Sequence, residues 1–382
     1  MDFNQTLPRI DLPRDMIHLG IGQPSNHLLP VKVMKKAAAH CLSKDNSFFL
    51  AYGEERGNAN FRQTLAEFLT GQYPNPVDPE QLLITNGNSQ ALDFICTLYA
   101  NPGDTVLVEE PSYFLALRIF ADRKLNLVSI PVDDNGLVTD VLKEKLETLK
   151  PSFLYTIPTY HNPASVTLSF KRRQELVEIC AQKNLLLVAD EVYHFLNYSD
   201  EPPPPMGNWI DTCPLISLGS FSKILAPGLR LGWVHTNVEL IKKMAKTGLL
   251  DSGGGFNPFT SEIVNSVISL GLLNRNIQYL KTVYAQRLKI FCDQLRIHLP
   301  KKAKFKIPKG GYFIWVRLPD NIDTKLLRQA AQKQNVDFNH GALFSHKKKL
   351  KNYMRLSFAF YDEDVLAESA RRLGKVILEN LS

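Results

Sequence analysis

The chain is poor in the features that mark several large classes of protein. Its five cysteines, Cys41, Cys96, Cys180, Cys213 and Cys292, are odd in number and far apart, and no Cys-x-x-Cys or Cys/His spacing joins them. That pattern excludes a disulfide scaffold and a zinc ribbon, and it reads as reduced thiols packed as small hydrophobes, with no metal site expected. No run of 18 apolar residues occurs, so nothing reads as a membrane span. The opening stretch MDFNQTLPRIDLPRD holds no apolar core of the kind a secretory leader needs, and a cytoplasmic location is the expectation. Internal repeats and low-complexity tracts are missing too. The densest basic run, HKKKLKN at 346–352, is short, and a net charge of +7 is mild for 382 residues, so it reads as a solvated loop or helix face with no nucleic-acid partner.

What is present is an ordinary globular balance, 44% hydrophobic and 22% charged, in a chain long enough for two domains. Short apolar runs recur: QLLIT (81–85), DTVLVEE (104–110), LNLVSIPV (125–132), SFLYTIP (152–158), NLLLVADEV (184–192) and LISLGSF (215–221). They read as buried strands, and amphipathic stretches such as 89–100 and 169–184 separate them. Strands apolar on both faces and alternating with helices predict an α/β fold with a mostly parallel sheet. After about residue 250 the texture changes to one long amphipathic helix, 274–300, then a smaller α+β unit. The first 45 residues have no strand–helix rhythm of their own and are expected to pack onto that unit. The proline run EPPPP at 201–205 reads as a surface loop.

Polar groups cluster at the ends of the apolar strands, where an open α/β sheet holds its ligand. One strand ends in Asn162, another in Asp190, Glu191 and Tyr193, a third in Ser220, Ser222 and Lys223, and Tyr113 follows a fourth. The stretch ITNGNSQAL runs through Asn86, Gly87, Asn88 and Ser89 into a helix, an anion site in outline. Lys223 stands in an apolar, serine- and glycine-rich run, SLGSFSKILAPGLRLGWV, with Arg230 seven residues on. A desolvated lysine loses pKa and becomes a nucleophile toward aldehydes. By itself this segment leaves a solvent-seeking surface lysine as an equal reading.

Taken together, the stretches LGIGQPS, AYGEERGNANFRQTLAEFL, ITNGNSQALD, EEPSYF, TIPTYHNPAS, VADEVYHFL, SLGSFSKILAPGLRLGWV, GGYFIWV and MRLSFAF resemble the class I/II aminotransferases in order and spacing. These are pyridoxal-phosphate enzymes of fold type I, and the resemblance covers essentially the whole chain. Asn162, Asp190 and Lys223 follow one another at 28 and 33 positions. The resemblance implies a large cofactor-binding α/β domain at 46–270 and a discontinuous small domain from 1–45 and 271–382.

It also implies a role for each residue. Lys223 would hold pyridoxal 5′-phosphate as a Schiff base and shuttle a proton, and Asp190 would pair with the ring nitrogen. Asn162 and Tyr193 would bond the phenolate oxygen, and Tyr113 would stack on the ring. The backbone of Asn88 and Ser89, the hydroxyls of Ser220 and Ser222, and Arg230 would hold the phosphate. Arg355 would grip the substrate carboxylate beside Gly22, and Tyr52 would reach the phosphate of a second copy in a homodimer. The implied activity is transfer of an amino group from an L-amino acid to a 2-oxo acid, with a C–S β-lyase or an aminocyclopropane-carboxylate-synthase-like enzyme as the alternative. A silent binding protein is a third reading, disfavoured by the intact lysine, aspartate and arginine.

The likeness is to the 2-aminoadipate, kynurenine and broad-specificity branch, and 2-aminoadipate, aromatic and branched donors rank together. No arginine for an acidic side chain stands in the stretch VKVMKK, which offers Lys32, Lys35 and Lys36, or in the 251–260 loop; Tyr113, Phe256, Phe259 and His27 are candidate walls of an apolar pocket. Two departures stand out. Ala164 and Ser165 replace the threonine and glycine that usually follow the Asn-Pro pair, which predicts a slightly different turn. NHGALF at 339–344 replaces a common proline-glycine pair.

Overall fold

The computed structural model describes residues 13, 15–43 and 47–380, apart from the side chain of Phe48. Most of the opening stretch MDFNQTLPRIDLPRD lies outside the described residues. In chain order the strands are β1 (Ile17–His18), β2 (Leu82–Thr85), β3 (Thr105–Glu110), β4 (Asn126–Asp133), β5 (Gly136–Leu137), β6 (Phe153–Thr156) and β7 (Leu186–Asp190). There follow β8 (Leu215–Ser220), β9 (Gly232–Thr236), β10 (Lys304–Phe305), β11 (Phe313–Arg317), β12 (Val336–Asp337), β13 (Asn339–His340) and β14 (Tyr353–Ser357).

Eight of them form one sheet in the order β2-β9-β8-β7-β6-β3-β4-β5. Its middle, β8-β7-β6-β3-β4, is parallel, and β9 runs against both its neighbours. Every residue of β2, β6, β7, β8 and β9 is buried, as their unbroken apolar runs require of a sheet covered on both faces. The helices Asn88–Tyr99 and Phe114–Asp122 cover one face through Leu92, Ile95 and Phe120; Thr139–Thr148 and Phe170–Lys183 cover the other through Leu142 and Leu176. The segment 125–132 departs from its reading as a buried strand. β4 is half-buried or exposed, with only Ile130 fully buried, because only the two-residue β5 flanks it on one side.

A four-stranded antiparallel sheet, β10-β11-β14-β13, lies apart, and β1 pairs in parallel with β12, which ties the N-terminal segment to the C-terminal unit as expected. The helix Leu272–His298 runs 27 residues with one apolar face packed on the same core. The sequence reading passes over the helix Pro258–Ser269 just before it, which starts with proline at its first position. Residues 201–205 carry no regular structure, and 346–352 form the expected part-exposed loop. All five cysteines are buried, and no disulfide joins them.

Parallel order puts the C-terminal ends of β3, β6, β7 and β8 along one edge. Two reversals give β2 the same direction as β8, so its end joins them.

Candidate active site

Every residue given a cofactor or carboxylate-binding role from sequence, except Tyr52, lines one cavity of about 290 Å³ at that edge. A shallower depression of about 700 Å³ adjoins it and shares Ser89 and Arg230. The enclosed cavity holds the lysine and the buried carboxylate, so the chemistry belongs there.

Lys223 follows β8 and is part-buried, and its Nζ donates to the carbonyl of Gly22 at 2.8 Å. Desolvation and the nearby Arg355 and Arg230 charges outweigh the attraction of Asp190 and bring its pKa down to about 8. Its amine points into the cavity and onto the Gly22 carbonyl, which sets aside the surface-lysine reading. Tyr312 and Tyr193 flank the ammonium at 5.4 and 6.0 Å.

Asp190 ends β7 fully enclosed, and burial raises its carboxyl pKa. Two side-chain donors oppose that shift, Asn88 Nδ2 at 2.7 Å to one oxygen and Tyr155 Oη at 2.9 Å to the other, helped by the Val192 N–H and the Lys223 charge. Asn88 thus contributes a side chain as well as a helix-start N–H. Sequence reasoning misses Tyr155; a tyrosine within the apolar run FLYT is its only signal. The neighbouring Glu191 turns away from the cavity and accepts from Ser217, Met206 and Gly207, with Arg173 at 3.8 Å.

Arg355, in β14, is buried, and desolvation lowers its pKa to about 10, so it stays charged at neutral pH. It donates to Asn162 Oδ1 at 2.8 Å and to the Gly20 carbonyl at 2.7 Å. Gly22 lies against it: a Cβ there would stand 2.9 Å from Phe313 and 3.9 Å from the arginine's Nη2. A larger residue would push Phe313 off the guanidinium.

The turn before the helix Asn88–Tyr99 needs glycine. Gly87 has a φ of +81°, and a Cβ would sit 3.0 Å from Arg230 Nη2. Arg230 is exposed, reaches the Asn86 carbonyl at 3.3 Å, and has its own carbonyl held by Asn257 Nδ2 at 2.7 Å. The first N–H groups of that helix have no helical acceptor, which leaves Asn88 and Ser89 donors at its positive end. Ser220 Oγ accepts from the Ser222 N–H at 3.1 Å nearby.

Tyr193 is buried and Tyr113 half-buried, and both are neutral, since enclosure raises both phenols, Tyr113 to about 12. Tyr52 stands apart, 89% exposed. Phe256, Phe259 and His27 do not line the cavity. Phe256 packs on Phe94, Phe259 on Phe49, and His27 sits between Arg287 and Asp362. The walls they were expected to supply come instead from Phe114, Leu115 and Phe313. Ser165 takes a left-handed φ of +62°, which a glycine would have eased, and its hydroxyl donates to the Phe313 carbonyl at 2.7 Å.

An amine of lowered pKa, a buried carboxylate, a flat phenol and a helix start beside an arginine suit a ligand with an aldehyde, a ring nitrogen and a phosphate. Two buried polar atoms on the cavity side chains, Arg355 Nε and Asn88 Oδ1, have no partner among the described residues. The residues fit pyridoxal phosphate.

Comparison with known proteins agrees. The chain is 36% identical over 374 residues to aromatic-amino-acid aminotransferase 1 of Thermococcus litoralis, covering 96% of this chain and 89% of that one. It superposes on the kynurenine aminotransferase of Pyrococcus horikoshii, solved with PMP, with a TM-score of 0.91 and 34% identity, over 96% and 92% of the two chains. It also superposes on LysN, the α-aminoadipate aminotransferase of Thermus thermophilus, solved with N-(5′-phosphopyridoxyl)-L-leucine, with a TM-score of 0.88 and 29% identity, over 96% and 93%. Residues 14–373 match the family described as aminotransferase class I and II. This chain belongs to that family, with the fold type I architecture and pyridoxal 5′-phosphate as its cofactor.

Proposed function

We propose that this transaminase takes the amino group from an aromatic or large apolar L-amino acid and passes it to a 2-oxo acid in two half-reactions, with Lys223 as cofactor anchor and proton carrier. One observation carries the reading: a lysine of lowered pKa shares a small cavity with a buried carboxylate, Asp190, and a buried arginine, Arg355. Bound pyridoxal phosphate supplies an electron sink for charge developing at the substrate α-carbon. Asp190 holds the ring nitrogen protonated, and Asn162 and Tyr193 bond the ring oxygen. The helix start at Asn88 and Ser89, the hydroxyls of Ser220 and Ser222, and Arg230 hold the phosphate. Tyr113 covers the ring. Arg355 orients the substrate carboxylate beside Gly22, and the Lys223 amine moves the α-proton.

The donor preference rests on the walls. Ile21, Leu92, Phe114, Leu115 and Phe313 line the cavity, and among the described residues its only cations are Lys223, Arg230 and Arg355, each already engaged. A distal carboxylate would find no fourth cation in that set. The relative in Thermococcus litoralis is named for aromatic donors, whereas LysN is named for α-aminoadipate. The same proposal includes a homodimer, in which the exposed Tyr52 reaches the neighbouring site, and the division into 46–270 against 1–45 with 271–382.

The test is the visible absorption of the purified protein before and after single amino acids are added with no oxo acid. Loss of the yellow band with phenylalanine or tyrosine, and slower loss with 2-aminoadipate, is the expected result. A band that persists while a fragment of the substrate is released indicates a lyase or synthase. No band even with added cofactor overturns the enzyme reading.

A further inference from the structure

Tyr155 is fully buried in β6 and lines no part of the cavity, yet its hydroxyl is 2.9 Å from Asp190 Oδ2. A buried hydroxyl costs stability unless it is bonded, and phenylalanine would fill the same space. The ring is held edge-on to Phe120 with centroids 5.4 Å apart, so the hydroxyl has one place to point. Asn88 Nδ2 holds the other oxygen at 2.7 Å from a different strand end. Each carboxylate oxygen therefore has a fixed donor, and rotation of the carboxylate would break both bonds. Burial also raises the phenol's pKa well above its ordinary range, so Tyr155 donates and never competes as an anion.

We propose that Tyr155 is a positioning residue, which together with Asn88 holds the Asp190 carboxylate ionised and in one orientation toward the ring nitrogen of pyridoxal phosphate. The inference rests on the role of Asp190 given above. Donors on both oxygens favour the charged form of a buried carboxylate against the desolvation that opposes it. They also remove the reorganisation that pairing with the ring would otherwise require.

The experiment is a double-mutant cycle read by binding, not turnover. The full-length apo-protein is titrated calorimetrically with pyridoxamine 5′-phosphate, which carries an amine and forms no bond to Lys223. Tyr155→Phe is expected to raise the dissociation constant about tenfold, the scale of one hydrogen bond to a charged group. In an Asp190→Ala background the same substitution is expected to change it less than about twofold, because the group it acts on is gone. Should Asp190→Ala bind too weakly for calorimetry, equilibrium dialysis at higher concentrations of the same probe reads the constants. An unchanged constant in Tyr155→Phe, or an equal factor in both backgrounds, overturns the proposal. Wild-type protein that fails to bind the probe overturns the cofactor placement itself, a distinguishable result.

Discussion

The guanidinium carbon of Arg355 lies 3.9 Å from the centre of the Phe313 ring, with Phe344 at 5.0 Å and Phe114 at 5.9 Å. Three rings hold one cation away from water and in a fixed plane, and its two remaining anchors are Asn162 and the Gly20 carbonyl. A planar fork suits a carboxylate in a way a point charge does not. Arg355→Lys is expected to raise the KM for the amino acid about a hundredfold, the worth of two charge-assisted bonds, with cofactor binding unchanged. Steady-state kinetics with a parallel cofactor titration checks this. A loss of cofactor affinity as large as the rise in KM would remove Arg355 from the substrate side.

Lys223 carries a pH signature. Only the neutral amine attacks an aldehyde, and burial together with Arg355 and Arg230 sets the pKa at about 8. The rate at which apo-protein captures pyridoxal phosphate should therefore climb as pH rises from about 6 to 9 and level off above, since deprotonation is complete there. Stopped-flow absorbance follows it directly. A rate still climbing near pH 10, about where an ordinary lysine titrates, would contradict the lowered pKa. Lys223→Ala is expected to abolish turnover, and retained transamination would remove the residue from its role.

Much of this arrangement was legible because strand ends are punctuated by polar residues after unbroken apolar runs. NLLLVADEVYH and LISLGSFSK announce both the strand and the group it delivers. What stayed hidden was three-dimensional pairing. Nothing local to FLYT says that Tyr155 turns toward Asp190, because the register of β6 against β7 decides it. The cavity wall was misassigned for the same reason. Phe256, Phe259 and His27 lie near the right stretches, yet each packs against another partner, while Phe313 arrives from a strand of the other sheet. The partial exposure of β4 likewise depends on its place at the sheet margin, which its apolar residues do not record.

Ser165 combines a strained backbone with a useful hydroxyl. Its φ of +62° costs on the order of 1 kcal/mol for a residue with a side chain, and its bond to the Phe313 carbonyl returns a similar amount. Ser165→Ala keeps the strain and loses the bond, so it should lower stability by about 1 kcal/mol. Ser165→Gly loses both and should be near neutral. Thermal melts of the two variants separate the terms, and equal melting points would refute the argument.

Arg173 governs the loop that carries Asn162. Fully buried on the helix Phe170–Lys183, it donates to the carbonyls of Leu168, Pro204 and Pro158 and to Thr159 Oγ1, all at 2.7–3.0 Å. It also faces the buried Glu191 carboxylate at 3.8 Å. Arg173→Met fills the space but strands those acceptors and leaves the carboxylate without a counter-charge, which should cost about 3–5 kcal/mol. The pH dependence has a definite sign. Burial raises the Glu191 pKa and Arg173 is the strongest influence lowering it, so the variant's carboxyl rises further. A folded pKa above the unfolded one favours folding while the acid is protonated, and that contribution is lost as pH climbs through the folded value. The deficit of the variant relative to wild type should therefore be smaller at about pH 5 than at about pH 8. Urea unfolding at both values measures it; an equal deficit would mean that stranded carbonyls, and not the unpaired Glu191, set the cost. In that case Arg173→Met combined with Glu191→Leu would recover nothing, whereas the ion-pair account expects part of the loss to return.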